Sequence, residues 1–301
     1  MGEKVSVILV NYNGKRYNNK CIASILQSTV KDRLYVVVVD NASTDDSLID
    51  LKVHWGQNDQ VVIIEMDQNY GFSRANNEGI KWSIENGINR FLLLNNDTEI
   101  DPYAIEKMLK IQEDTQSIVV PKIFYANKPD IIWCAGGTFS TIIKKPIQRG
   151  LNQKDCGQFD TNCKCEFANG CCLLLTKEII EKNGLLDERF FLYYEDTEYS
   201  LRALENNIPI WYCANAVVYH KVNGSTQGNE KPENVYYITR NWLMCNKMYM
   251  NKRFFLFLSY FLFNRVAWIL IWQLRRKKEM KDAVIKGIKD YCKGKDGLAS
   301  L

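Results

Sequence analysis

What this chain of 301 residues lacks narrows its chemistry early. No Gly-x-Gly-x-x-Gly follows the first apolar run, so the dinucleotide fingerprint of a Rossmann dehydrogenase is missing. The same place offers no Gly-rich loop carrying Arg or Lys, which disfavours a nucleotidyltransferase that must cradle a triphosphate. There is no internal repeat, no low-complexity tract and no cluster of long apolar helices, and the last absence disfavours a multi-span synthase. Met1-Gly2-Glu3-Lys4 leads straight into a strand with no signal-peptide core, so a cytoplasmic setting with reduced thiols is expected. The ten cysteines show no paired Cys-x₂-Cys spacing. Cys156, Cys163, Cys165, Cys171 and Cys172 lie close in sequence, but buried free thiols are expected there rather than structural zinc.

Net charge is also scarce, at +4, and it is unevenly placed. From Leu274 to the end, nine Lys/Arg stand against four acids, so basic character belongs to the C-terminus and nothing points to nucleic acid. What the chain does have is apolar material, 46 % of it, enough for a sizeable core. Continuous apolar runs at 5–10, 34–39, 61–64, 91–94 and 118–120 read as strands covered on both faces. Helical segments are expected between them at 17–27, 44–55, 73–86 and 102–112. Asn86-Gly87 marks one helix end, and Asp101-Pro102 reads as an N-cap with proline at the first helical position. This is a βαβ series and predicts a mostly parallel sheet. Residues 126–165, with Gly136-Gly137, Pro146, Gly150 and Gly157, read as loops with short strands. A strand at 171–175, helices at 177–183 and 195–205, and strands at 208–212 and 217–220 follow.

The polar residues gather where strands end, the edge at which ligands of α/β folds bind. Strand one ends in Asn11-Tyr12-Asn13-Gly14 and strand two in Asp40-Asn41-Ala42-Ser43-Thr44-Asp45. Asp40 is suited to the ring N–H of a pyrimidine base or to a ribose hydroxyl, with Ser43 or Thr44 better placed to cap the next helix. Asn69-Tyr70-Gly71-Phe72-Ser73-Arg74 is a glycine turn entering a helix, with Arg74 in the first turn to face phosphate. The apolar run 91–94 ends abruptly in Asn95-Asn96-Asp97, a carboxylate placed to share one divalent ion with a diphosphate.

These motifs, with Asn77-x-Gly79 and the run Gly184-Leu-Leu-Asp-Glu-Arg-Phe-Phe-Leu-Tyr-Tyr-Glu-Asp-Thr-Glu198, resemble the inverting family 2 glycosyltransferases over about residues 4–245. Within that family the chain is similar to bacterial rhamnosyltransferase-type enzymes of O-antigen and other surface polysaccharides. The resemblance implies an α/β fold of the GT-A type, a Rossmann-like, mixed but mostly parallel sheet flanked by helices, with a C-terminal helical extension. A nucleotide-sugar half is expected at 1–125, an acceptor and base half at 126–225, and a helical region at 226–301 that meets the inner face of a membrane or forms a homodimer. The donor would be a nucleoside-diphosphate sugar, contacted by Asn11, Tyr12, Asn13, Asp40, Asn41, Gly71, Arg74, Asn77, Asn95 and Asn96. Asp97 matches the last position of the family's Asp-x-Asp metal motif, with Asn95 in place of the first acid, and His220 matches a histidine that completes the site in some relatives. Together they would hold Mg²⁺ or Mn²⁺. Asp196, with Glu195 second, would be the base that takes a proton from a glycan or lipid-linked glycan acceptor. Trp133, Gly136, Asn169, Gly170 and Tyr194 are expected near that acceptor. A catalytically silent GT-A module that binds or scaffolds glycan is the alternative, supported by Asn95 alone.

The C-terminal part is helical and different in kind. Apolar stretches at 254–263 and 266–272 are interrupted by Asn264-Arg265. A central Arg costs about 2.5–3.5 kcal/mol on insertion scales, which argues against a simple span. A helix in the membrane plane, with the basic tail on anionic headgroups, is expected, or else an oligomer interface.

Overall fold

The computed structural model describes residues 2–221, 231–250 and 253–299. Its first half runs β1 (Val5–Asn11), α1 (Lys15–Leu26), β2 (Leu34–Asp40), α2 (Ser47–Trp55), β3 (Val61–Glu65), α3 (Gly71–Glu85) and β4 (Arg90–Asn95). The second half adds β5 (Thr98–Ile100), α4 (Ala104–Thr115), β6 (Ile118–Tyr125), β7 (Lys128–Ala135), β8 (Gly137–Phe139), β9 (Pro146–Gln148), β10 (Cys163–Cys165), β11 (Cys172–Thr176), α5 (Lys177–Asn183), α6 (Glu195–Glu205) and β12 (Ile210–His220). Three helices follow, α7 (Pro232–Met250), α8 (Phe254–Leu274) and α9 (Lys278–Cys292).

One ten-stranded sheet runs β10-β12-β6-β11-β4-β1-β2-β3, with β5 beside β12 and β7 beside β6. β1 to β4, β6 and β12 point one way, while β5, β7, β10 and β11 run against them, so the sheet is mixed with parallel strands in the majority. Alternation along the buried strands splits the core in two. Val5, Val7 and Leu9 pack with residues of α1 and α4, while Ile8 and Val37 pack with those of α3, α5 and α6. Burial on both faces explains why these strands read as unbroken apolar runs. Because β1, β2 and β4 are parallel and level, Asn11, Asp40 and Asn95 finish at one rim.

Some elements differ from expectation. The strands expected at 208–212 and 217–220 are a single strand, β12, whose register against β6 shifts between Cys213 and Val217. A bulge absorbs the extra residues and hides the continuity from any apolar pattern. Residues 126–165 hold the eight-residue β7, whose exposed Lys128-Pro129-Asp130 start masks the buried end. Helix α4 begins at Ala104 rather than Pro102, because Asp101 closes a turn in front of it, accepting from the Tyr103 N–H (3.0 Å) on its side chain. Helix α2 begins at Ser47 with Asp46 as its cap, and neither Ser43 nor Thr44 caps it. Both are drawn across the rim instead. The Thr44 N–H binds Asn13 Oδ1 (2.7 Å), and the Ser43 hydroxyl donates to Asp40 (2.7 Å).

Candidate active site

The rim begins as a polar network closed on itself. Asn11 is fully buried, and its amide donates to Asp40 Oδ1 (2.6 Å) and to the hydroxyls of Ser47 (2.9 Å) and Ser43 (3.1 Å). Its oxygen accepts from Asn18 (2.9 Å) and the Gly14 N–H (3.1 Å), and Asn96 donates to Asn18 (2.8 Å). Asn11, Asp40 and Asn96, expected on the nucleotide, are thus 0, 1 and 7 % exposed and bind one another. Fully satisfied buried networks of this sort rigidify what they join. Asn41 is equally inward, donating to Asn69 (2.8 Å) and accepting from the Tyr70 N–H (2.9 Å). Tyr12 and Asn13 are exposed on the rim's outer side, and Asn95 is half-buried at the end of β4.

The glycine turn also differs from expectation. Gly71 has φ +86°, and a Cβ there would come within 2.4 Å of the Phe191 carbonyl oxygen. The Phe72 N–H donates to that same carbonyl (2.8 Å), and Ser73 to that of Phe190 (2.9 Å). Asn77 donates to the Leu186 carbonyl (2.9 Å) and accepts from its N–H (3.1 Å). Gly71 and Asn77 therefore grip the 184–191 segment and do not face outward to a ligand. Arg74 keeps its place in the first turn of α3, its guanidinium 3.7 Å from the Tyr70 ring centroid.

Asp97 follows β4, and the antiparallel pairing of β5 with β12 sets His220 level with Thr98. His220 Nε2 thereby stands 3.1 Å from Asp97 Oδ1, both side chains being buried. Trp133 closes one side, its ring edge-on to His220 with centroids 4.6 Å apart. Neighbouring ligands of an octahedral ion at about 2.1 Å stand about 3 Å apart, so this spacing fits a shared divalent ion. A carboxylate with an imidazole suits Mn²⁺ better than Mg²⁺. The Nδ1 of His220 is buried without a hydrogen-bond partner, so nothing on that side commits the ring to one tautomer. Among the described residues no group of three or more His, Cys, Asp or Glu is assembled, so further ligands would come from substrate and water. Residues 222–230, which follow His220 directly after Lys221, lie outside the described residues.

The second pair of acids opens α6. Tyr193 and Tyr194, just before it, both adopt left-handed backbone angles (φ 65° and 74°), a cost of about 1–3 kcal/mol each. Asn241 on α7 holds this turn, donating to the carbonyls of Leu192 and Tyr193 (both 2.9 Å). Asp196 accepts from the Gly170 N–H (3.0 Å), the Thr197 N–H (2.6 Å) and the Thr197 hydroxyl (3.2 Å). Glu195 is 8 % exposed, and its Oε2 is buried without a partner. Burial pushes both carboxyls above their ordinary range, and the neighbouring Asp196 raises Glu195 further. The donors on Asp196 counter its shift, whereas Glu195 has only its own backbone N–H to do so. Burial therefore works against charge on both, and the donors gathered on Asp196 favour its charged form over that of Glu195. Behind them Arg202 pairs with Glu198 (2.8 Å) and donates to the Leu185 carbonyl (2.9 Å), which ties α6 to the segment gripped by α3.

Of the residues expected near an acceptor, Gly170 touches Asp196 directly, and its missing side chain leaves that approach open. Trp133 lies against His220 instead. Gly136 turns β7 into β8 at φ +72°, and Asn169 turns inward to accept from the Cys171 N–H (2.9 Å). The Tyr194 ring packs against Phe190, Trp242 and their neighbours, so it belongs to the C-terminal helices' core. Sequence reasoning missed Asn18 and Asn241. A buried asparagine on a helix leaves no mark in an apolar pattern, and both act on backbone or side chains brought close only by folding.

The glycosyl transferase family 2 profile matches residues 6–184, which takes in the rim through Asp97 and stops short of Glu195, Asp196 and His220. Low-salt glycan biosynthesis hexosyltransferase Agl10 of Haloferax volcanii is 29 % identical over 255 residues, covering 84 % of this chain and 78 % of that protein. The dTDP-rhamnosyl transferase RfbF of Shigella flexneri is 25 % identical over 252 residues, covering 80 % and 79 %. Among solved structures, GalNAc-T7 with UDP, GalNAc and Mn²⁺ superposes with a TM-score of 0.61 at 16 % identity, over 79 % of this chain and 48 % of that one. S. aureus TarS superposes with 0.51 at 17 %, over 80 % and 39 %. The chain thus spans about half or less of those two structures, and at such identity they speak for the fold alone. A profile match over more than half the chain, on the strand ends that build the rim, makes this protein a member of glycosyl transferase family 2, an enzyme that transfers a sugar in glycan synthesis.

Proposed function

We propose that the protein moves rhamnose or another hexose, with inversion, from a nucleoside-diphosphate sugar to a hydroxyl of a glycan or lipid-linked glycan in surface polysaccharide synthesis. The observation that carries the reading is the acid pair opening α6, with hydrogen-bond donors gathered on Asp196. A base that takes a proton from a hydroxyl must be within reach and stabilised as an anion, and half-buried Asp196, with the Gly170 and Thr197 donors on its carboxylate, supports that role. Asp196 removes the acceptor proton while the oxygen forms its bond to the anomeric carbon. The bond from that carbon to the diphosphate breaks on the opposite face, and the nucleoside diphosphate leaves with the bonding electrons.

Asp97 and His220 are the residues that would hold Mg²⁺ or Mn²⁺, which when bound offsets the charge gathering on the departing diphosphate. Arg74, half-buried in the first turn of α3 and against the Tyr70 ring, would meet phosphate from that side. For the donor, the likeness to the dTDP-rhamnosyl transferase RfbF favours deoxythymidine-diphosphate rhamnose, with uridine-diphosphate hexoses next. A thermal-shift screen of nucleoside diphosphates and their sugars, with and without Mn²⁺, tests this. One donor should stand out, because stabilisation grows with the logarithm of concentration over the dissociation constant. The silent-module reading, which Asn95 favours, predicts instead no nucleotide-sugar hydrolysis with Mn²⁺ present.

A further inference from the structure

Helix α8 is about 31 Å long, enough to cross a bilayer. Its packing forbids that. Phe257 and Phe261, near its start, lie edge-on to Trp242 of α7, with ring centroids 5.4 and 5.3 Å away. Trp272, near its end, joins Val235, Tyr236 and Val284 of α7 and α9. Helix α8 is therefore fastened to α7 at both ends, and α7 is bonded through Asn241 to the loop in front of Glu195. A spanning α8 would drag the catalytic loop into hydrocarbon. Arg265 agrees, being turned to the protein side at 9 % exposure with its guanidinium 5.1 Å from the Trp242 ring centroid.

The opposite face is bare. Phe255, Leu262, Phe263, Val266 and Leu270 are all exposed, Phe263 by 77 %. Contiguous apolar surface of this kind marks an interaction site. Helix α8 is apolar nearly all round, so the globular domain supplies the polar half that an interfacial helix usually carries in its own sequence. Arg253 is exposed before its start, and Arg275, Arg276 and Lys278 are exposed after its end, while α8 itself contains no Asp or Glu. A distant segment repeats the composition. In the β8–β9 turn, Ile143 packs on the Trp242–Phe257 cluster, Ile142 is exposed and Lys145 is exposed beside it. Positive charge at both ends of the helix would repel a second copy laid along it and would attract an anionic surface.

We infer that α8 and the β8–β9 turn dock the enzyme on an anionic lipid surface, with α8 lying in the membrane plane and not crossing it. The full-length protein is floated with vesicles of pure phosphatidylcholine or of phosphatidylcholine with 30 % phosphatidylglycerol, at low and high salt. It should float with the anionic vesicles, at least tenfold more weakly at high salt, and be released by alkaline carbonate. Phe263→Asp with Leu270→Asp, and separately Arg275→Ser, Arg276→Ser and Lys278→Ser, should each cut flotation at least tenfold at unchanged melting temperature. Resistance to carbonate would establish a span and overturn the inference. So would equal flotation with both vesicle types at either salt. So would a dimer, in solution and off the vesicles, that Phe263→Asp with Leu270→Asp converts to a monomer.

Discussion

Two carboxylate sites, one at the end of a strand and one at the start of a helix, are built to opposite rules. Asp97 stands 3.1 Å from an imidazole nitrogen, a spacing at which the two could share an ion. Glu195 and Asp196 are consecutive acids at the start of α6, and burial pushes both toward the protonated form. The first arrangement suits holding a charge in place, and the second suits moving a proton. Their supports differ as well. The rim near Asp97 rests on a closed amide network around Asn11, whereas the acid pair hangs on a left-handed tyrosine turn held by Asn241.

The comparison can be broken at several points. Asp196→Asn should lower transfer by about 10²–10⁴-fold while donor binding, followed by thermal shift, stays intact. Wild-type rates in that variant would remove the base assignment. His220→Ala should weaken Mn²⁺ binding in the presence of nucleoside diphosphate by about 10–100-fold, read by titration calorimetry, and leave the acid pair's pH profile where it was. Asn241→Ala should lower kcat by about tenfold with the KM for donor unchanged, since it loosens only the turn that aims Asp196. A change in donor KM of equal size would show that the two sites are coupled.

Glu195→Gln sharpens the contrast further. If Glu195 is the neutral partner, the amide keeps activity within about tenfold, since it imitates the protonated acid. Stability gives a second reading. The folded-state pKa of Glu195 is raised, so the stability it permits is complete below the ordinary carboxylate range and is lost as pH climbs toward the raised value. The melting temperature of Glu195→Gln should therefore gain on the wild type from pH 5 to pH 9. The smallest effect is expected at Arg265, whose Nε is buried without an acceptor and whose pKa burial lowers. Arg265→Met should be neutral or stabilising by about 1 kcal/mol in thermal melts.

Much of the architecture was legible because parallel strands buried on both faces must be apolar throughout, as 5–10, 34–39 and 91–94 are. Strand-end polarity then marked Asn11, Asp40 and Asp97 as members of one rim. Which way each of them points was not legible. Asn11, Asn77 and Gly71 carry family motifs, yet their amide groups and bare α-carbon serve neighbouring chain. An asparagine that binds backbone is written the same way as one that binds a sugar. The bulge in β12 was hidden for a related reason, since pairing partners and register belong to the sheet as a whole.

By itself the sequence determined the class of the fold, the edge where the chemistry gathers and the basic, apolar character of the C-terminus, because these follow from local pattern and composition. Tertiary structure alone decided that His220 reaches Asp97, that Asn241 holds the turn before Asp196, and that α8 is fastened along α7. Each of those contacts joins segments far apart in the chain. Their distances depend on strand order and helix packing, which no local pattern contains.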